Sequence, residues 1–349
     1  MEIAETLKLL CKTPSISGRE KRMSELILTY FSKYCDNAYI DKFNNCVGIK
    51  NGSGKDRKRI MITAHMDEIG FLVKSIDENG FVKLASVGGI DPKVLLAKEV
   101  VIHGKEDLFG VIGAKPPHLL KPEETSKSVK LEDLSVDTGL SREKVSEIVS
   151  LGDDATFRPI LRKHKNGRIS ANGLDNKAGV LSLIMIMEEL KKLNHYHDIV
   201  FVATAQEELN LAGVINATYN LKPDAAIVID VCHGDMADAP RDETYPLGKG
   251  PAIGLGPNLH SNLTKKLKDF AANENIPYQI DIEPGNTGTE AWATQVSRNG
   301  ISTLLISIPL KYMHTQVELI SEQDIKLTGR LTARFLSDLG EELEGLLCY

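Results

Sequence analysis

The chain has 349 residues, with 42 Lys and Arg against 48 Asp and Glu, and a formal charge of −6. That balance gives nucleic-acid phosphates little attraction. An apolar share of 42% with 26% charged residues is that of a chain burying a full core in about two domains, which excludes a disordered or coiled-coil protein.

The opening MEIAETLKLLCK mixes Glu2, Glu5 and Lys8 among its apolar residues and does not read as a secretory leader. The longest nearly apolar run, Ala178 to Met187, is about half of the roughly 20 residues that cross a bilayer, so no membrane partner is expected. Cys11, Cys35, Cys46, Cys232 and Cys348 form an odd, scattered set without a CxxC pair. They predict reduced, mostly buried thiols and a cytoplasmic protein.

Leu9, Leu10, then Met23, Leu26, Ile27, Tyr30 and Phe31 recur at helical spacing and predict two opening helices, separated by the turn-forming Thr13 to Gly18. RIMITAHMD (Arg59 to Asp67) is a short apolar run rich in β-branched residues that ends in polar ones, the form of a buried parallel strand. The same form returns at Asp198 to Glu208, Asp224 to Asp235 and Ser302 to His314. Helix-like stretches at Lys177 to Leu193 and Asn262 to Ala272 alternate with these strands, and Glu322 to Glu344 reads as one closing amphipathic helix. The expected architecture is α/β, a mostly parallel sheet flanked by helices.

From about Gly70 to Lys163 the alternation breaks into short strand candidates (FLVKSI, GFVKLA, KEVVIHG, LFGVIGA) and a Pro116-Pro117 turn, with Lys121 to Lys130 read as an exposed loop. This predicts a small β-rich domain, residues 70–163, inserted between two parts of the α/β domain, residues 1–69 and 164–349.

No GxSxG, GxxxxGK[ST], GxGxxG or HExxH occurs, so nucleotide and serine-hydrolase chemistry lose support. What stands at the strand ends is His65 with Asp67, Asp175 with Asn176, Glu207-Glu208, Asp230 and His314. Ligands of open α/β sheets bind outside the carboxyl ends of strands, where these side chains could converge. A strand-end His is commonly a hydrogen-bonded structural residue, Asp175 would also serve as a helix cap, and the Glu pair as a solvated helix start. Position alone leaves structural and metal-binding readings both open.

Two His and three carboxylates suit two borderline cations, Zn²⁺ or Co²⁺, roughly 3.5 Å apart with one carboxylate bridging. Asp175, Glu208, Asp230 and one hydroxide would neutralise them, leaving Glu207 free to take a proton. Neighbours in a helix point about 100° apart, so Glu207 and Glu208 are expected to differ, one ligating and the other facing water. Asp67, two residues past His65, is placed to accept the free imidazole N–H.

These residues resemble the cytosolic two-metal aminopeptidases that include the tetrahedral (TET), deblocking and glutamyl aminopeptidases. The likeness runs over nearly the whole chain, through AHMDEIGF, GVIGAKPPHLL, GLDNKAG, QEELNLAG, IDVCHGD, LGKGPAI and YMHTQVE in family order. It implies the dinuclear metallopeptidase fold with an inserted oligomerisation domain. His65 and Asp230 would bind one metal, Glu208 and His314 the other, Asp175 would bridge, and Glu207 would be the general base. Peptides with free N-termini are the implied substrates, and dimers assembled into a twelve-subunit shell the implied quaternary form.

The chain departs from many relatives at Asn176-Lys177, where Asp-Arg is common, at Glu290, where Asp is common, and at Gln316. Asn176 keeps an oxygen acceptor but lacks the charge of an Asp, which bears on metal affinity, and the longer Glu290 bears on inherited substrate preference. Two competing readings are an endoglucanase-like glycoside hydrolase, which needs no clustered His and Asp ligands, and a non-catalytic metal-binding shell subunit, which would require a lost ligand or base.

Overall fold

A computed structural model describes residues 2–119 and 128–348. Its centre is four parallel strands, Asp198–Thr204, Arg59–His65, Ala225–His233 and Ser302–Lys311, side by side in that order. Arg59–His65 is buried at every position after the first, and Ser302–Lys311 at every position before the last. Such near-continuous apolar strands form where both faces of a sheet are covered.

The rest of the eleven-stranded sheet is not parallel in this way. Cys46–Lys50 and Asn37–Ile40 extend one edge antiparallel, and Glu318–Ser321, Arg168–Ala171 and Arg162–His164 the other. Ala252–Leu255 also joins Ser302–Lys311 antiparallel and pairs in parallel with Gln279–Ile282. The sheet is therefore mixed, a correction to the mostly parallel expectation. Short edge strands such as Asn37–Ile40, half-buried and exposed in alternation, lack the apolar run that betrays a central strand.

The helix Leu174–Leu190 is buried at 14 of its 17 residues, as befits one enclosed between sheet and outer helices. Glu322–Asp338 packs against it, and Gly329 permits the approach, since a Cβ there would lie 3.1 Å from the Met185 Cβ. The closing stretch is not one helix to Glu344. It leaves helical geometry at Leu339, ahead of Gly340, and a short turn, Leu343–Leu346, follows. Leu7, Leu10, Met23, Ile27 and Phe31 of the two opening helices, Ile3–Lys12 and Lys21–Tyr34, enter the same core, while Leu9 faces outward.

Gly70–Ile76, Val82–Val87, Ser135–Asp137, Asp107–Gly113, Glu99–His103 and Asp154–Phe157 close into a six-stranded barrel. Its interior is a separate apolar core in which Phe71 meets Phe157 edge to face at 5.5 Å. The barrel strands end at Phe157, and Arg162–His164 already belongs to the large sheet. The loop expected at Lys121 to Lys130 lies for the most part outside the described residues. All five cysteines are free, Cys11, Cys46 and Cys232 buried, Cys35 half-buried and Cys348 exposed. No helix among the described residues is long and apolar enough to cross a membrane.

Candidate metal centre

The carboxyl ends of the parallel strands converge on one cavity of about 280 Å³. His65 is the last residue of its strand, Asp230 lies within Ala225–His233, Glu207 and Glu208 open the helical turn after Asp198–Thr204, and His314 follows Ser302–Lys311. Asp175 comes from the start of the helix that follows the antiparallel strand Arg168–Ala171, and its peptide bond to Asn176 is cis. All six line the cavity.

Asp175 faces both ways. One of its oxygens lies 3.1 Å from His65 Nε2, itself 3.6 Å from Asp230 Oδ1. The other lies 3.3 Å from His314 Nε2, which is 3.2 Å from Glu208 Oε1. Two donor groups result, His65–Asp175–Asp230 and Asp175–Glu208–His314, each with its ligand atoms within 4.8 Å of one another. Glu207 belongs to neither.

His314 Nδ1 lies 2.8 Å from the Gly89 carbonyl of the barrel. A carbonyl only accepts, so Nδ1 carries the proton and the Nε2 lone pair is left for the donor group. His65 Nδ1 similarly donates to the backbone carbonyl of Asp67 at 3.2 Å, whereas the Asp67 carboxylate is 3.7 Å away. The expected imidazole–carboxylate bond is thus made by the Asp67 main chain. Its fully buried carboxylate instead accepts the Glu207 N–H at 3.0 Å and the Glu208 N–H at 3.1 Å. Asp67 fixes where the Glu pair sits, at the donor-rich start of a helical turn.

The electrostatics fit divalent cations. Burial pushes Glu207 up to about 9, helped by Asp230, Glu208 and Asp67 and opposed by His65. Burial also raises Glu208 and Asp230. Burial alone would discharge the His314 ring, yet Asp175 and Glu208 outweigh it and hold it up at about 11. No Lys or Arg among the described residues lines the cavity. Buried carboxylates crowded this closely around two imidazoles, with no Lys or Arg beside them, form a donor set in which divalent cations would take the place of the imidazole protons.

Residues 44–331 match the family model of the M42 glutamyl aminopeptidases. The chain belongs to this family. It is accordingly an aminopeptidase, a peptide hydrolase. A lysyl aminopeptidase of Pyrococcus furiosus is 31% identical to it over 340 residues, 96% of this chain and 97% of that protein. A TET aminopeptidase of a marine sediment Thaumarchaeota archaeon is 30% identical, covers 98% of both chains and superposes with a TM-score of 0.93. The TET1 peptidase of Pyrococcus horikoshii, which can assemble into a tetrahedron or a large octahedral shell, is 30% identical over 97% of this chain and 100% of that one, with a TM-score of 0.82.

The departures of this M42 chain acquire physical content from the structure. Asn176 is fully buried and faces away from the donors, giving its amide to the Ile229 carbonyl at 2.9 Å and accepting the Gly179 N–H at 3.0 Å. Lys177 is buried against Glu68 at 2.8 Å. Glu290, also buried, takes the Thr204 hydroxyl as its partner and does not line the cavity, whereas Thr289 does. Gln316 donates to the Arg158 and Glu99 carbonyls at 3.2 and 3.4 Å, tying the His314 loop to the barrel.

One residue of the M42 site escaped sequence reasoning although it stands inside YMHTQVE. Glu318 is 2% exposed, and its carboxylate accepts the N–H groups of Leu174 at 2.7 Å, His314 at 2.9 Å and Asp175 at 3.3 Å. It holds the backbone of two candidate ligands at once.

Proposed function

We propose that this aminopeptidase removes single residues from the free N-termini of peptides with the help of two divalent cations, Zn²⁺ or Co²⁺. The observation that carries the reading is the two-sided Asp175 carboxylate, shared by two His–carboxylate groups on the floor of one cavity. His65, Asp230 and Asp175 would hold one cation, and Glu208, His314 and Asp175 the other. When bound, such ions supply Lewis acidity, polarising the scissile carbonyl and lowering the pKa of water.

The chain's own groups do the rest. Glu207 lines the cavity outside both donor groups, where it accepts the proton of the attacking water and passes it to the leaving amine. Burial and the neighbouring carboxylates raise its pKa; bound cations would oppose that shift and favour the anion that the first transfer needs. Asp67, through the Glu207 and Glu208 N–H groups, keeps the acceptor and the ligand from exchanging places.

Elemental analysis is expected to give two ions per chain, with activity lost on chelation and restored by the metal. Full activity with one ion would overturn the dinuclear reading. It would leave the peptidase assignment in place.

The barrel would serve self-association, with residues 70–163 as the oligomerisation domain of a cytoplasmic dodecamer built from dimers. The shells formed by the Pyrococcus horikoshii relative support this, as do the exposed Phe109, Val111 and Leu151 on the inserted segment. Light scattering should report an assembly many times 38.4 kDa; a stable, active monomer would refute it. A closed shell would admit short peptides and exclude folded proteins.

A further inference from the structure

Beyond its metal-ligating floor, the same cavity has an acidic wall. Asp281 and Glu283, from the edge strand Gln279–Ile282 and the residue after it, and Glu243, from the segment leading into Tyr245, all line it. None of them belongs to either donor group. Among the described residues His233 is the one potentially cationic side chain on this wall.

Asp281 is the informative member. It is 7% exposed, yet only one of its oxygens has a protein donor, the Tyr245 hydroxyl at 2.6 Å. Beside the Tyr245 bond its second oxygen takes no other donor among the described residues, and it is not shut off from solvent but opens onto the cavity that Asp281 lines. A carboxylate this buried ordinarily completes its hydrogen bonds or is neutralised. The Tyr245 bond locks its orientation, so the free oxygen is held in place on a wall of the cavity. Glu283 stands close enough that burial and the Asp281 charge together push it up to about 7. Two carboxylates that repel one another in a recess without Lys or Arg present the complement of a single compact cation.

We propose that Asp281, oriented by Tyr245 and joined by Glu283, receives the side chain of the substrate's first residue and selects a cationic one, lysine or arginine. The inference rests on the aminopeptidase reading and adds its substrate class. A cavity of about 280 Å³ sits at the small end of ligand sites, which fits the seating of one residue rather than of a longer segment. An acidic first residue would meet like charge. A leucine would bury the free Asp281 oxygen without a donor, which sites built to hydrogen-bond reject most strongly.

The test uses the metal-loaded, full-length protein and the chromogenic amides of Lys, Arg, Leu, norleucine and Glu. Lys and Arg amides are expected to lead in kcat/KM, with norleucine, which matches the lysine stem without its charge, at least tenfold behind. Asp281→Asn should lower the Lys-to-Leu ratio of kcat/KM by roughly 10- to 100-fold, the loss typical of a hydrogen bond to a charged group. Glu283→Gln, at a half-exposed position where folding is not at stake, should lower the same ratio in the same direction.

The ratio also separates this role from binding of the α-ammonium group that every substrate carries. If Asp281→Asn slows Lys and Leu amides equally, the side-chain pocket is overturned. Preference of the unmodified protein for Leu or Glu amides overturns it too, while leaving the aminopeptidase reading intact. Failure to cleave any of the five with two ions bound overturns both.

Discussion

Glu207→Gln is expected to lower turnover by roughly 10²- to 10⁴-fold while the metal content stays near two ions per chain. The substitution removes the proton acceptor, and that range is the usual worth of a positioned general base. It leaves both donor groups whole, because Glu207 is in neither. Glu208→Gln, one residue along, should fail differently. It replaces an anionic donor beside His314 by a neutral amide, so one ion is held weakly and excess metal partly restores the rate. The contrast follows from backbone geometry, since Asp67 grips both N–H groups and the turn aims the two side chains differently. Metal content and turnover measured together on both variants decide it. Loss of metal from Glu207→Gln with retention by Glu208→Gln would mean that the two roles are reversed.

The second large effect is expected at Glu318, which touches no substrate. Its carboxylate takes three backbone N–H groups, those of Leu174, Asp175 and His314. Glu318→Gln keeps the volume but offers one oxygen and turns an amide NH₂ toward the other donors. Asp175 and His314 then lose their common anchor, and because Asp175 serves both donor groups, both ions should loosen. Supports of this kind typically contribute 10- to 100-fold in metal affinity. Dialysis against a weak chelator followed by elemental analysis should find the variant depleted where the unmodified protein is not, with KM for peptide changed less than the metal requirement. A Glu318→Gln protein that keeps two ions and full turnover through that treatment would show that Glu318 anchors nothing the centre depends on.

Where the chain announces its structure, it does so through apolar runs that stop abruptly at a polar residue. His65 and His314 follow such runs, Asp230 sits within one, and Glu207-Glu208 comes two residues after another, so the convergence of these side chains was legible before any coordinates. Strand direction was not. An apolar strand flanked by antiparallel neighbours has the same composition as one flanked by parallel neighbours, and Glu318–Ser321 or Arg162–His164 is too short to carry a period. Arg162–His164 is exposed at all three positions, so only its pairing with Arg168–Ala171 makes it a strand. The helix break before Gly340 had a sequence signal in that glycine, overridden by the apolar spacing on either side.

Buried charge was the least legible property. Glu318, Glu68 and Lys177 read as surface residues by type, and each is buried through partners far away in sequence: Leu174 and Asp175 for Glu318, and Glu68 and Lys177 for each other. Asp67 shows the same limit at close range. Its spacing from His65 put it beside that ring, but which of its atoms met the imidazole depended on a turn formed by residues 140 positions away.

The Gly89 carbonyl gives the barrel a significance separate from assembly. This loop sits between Val82–Val87 and the turn at Pro92–Leu95, inside the inserted segment, yet it receives the Nδ1 proton of His314. The glycine is closely fitted there, for a Cβ would lie 3.3 Å from that same nitrogen. The insert is consequently not a detachable module. A chimera that exchanged the barrel for a relative's, or an excision that closed the chain between Gly70 and Phe157, would alter the protonation pattern of an imidazole in the other domain. Genetic modularity and chemical modularity part company at this loop: the boundary that separates two hydrophobic cores runs through the middle of one hydrogen-bonded centre.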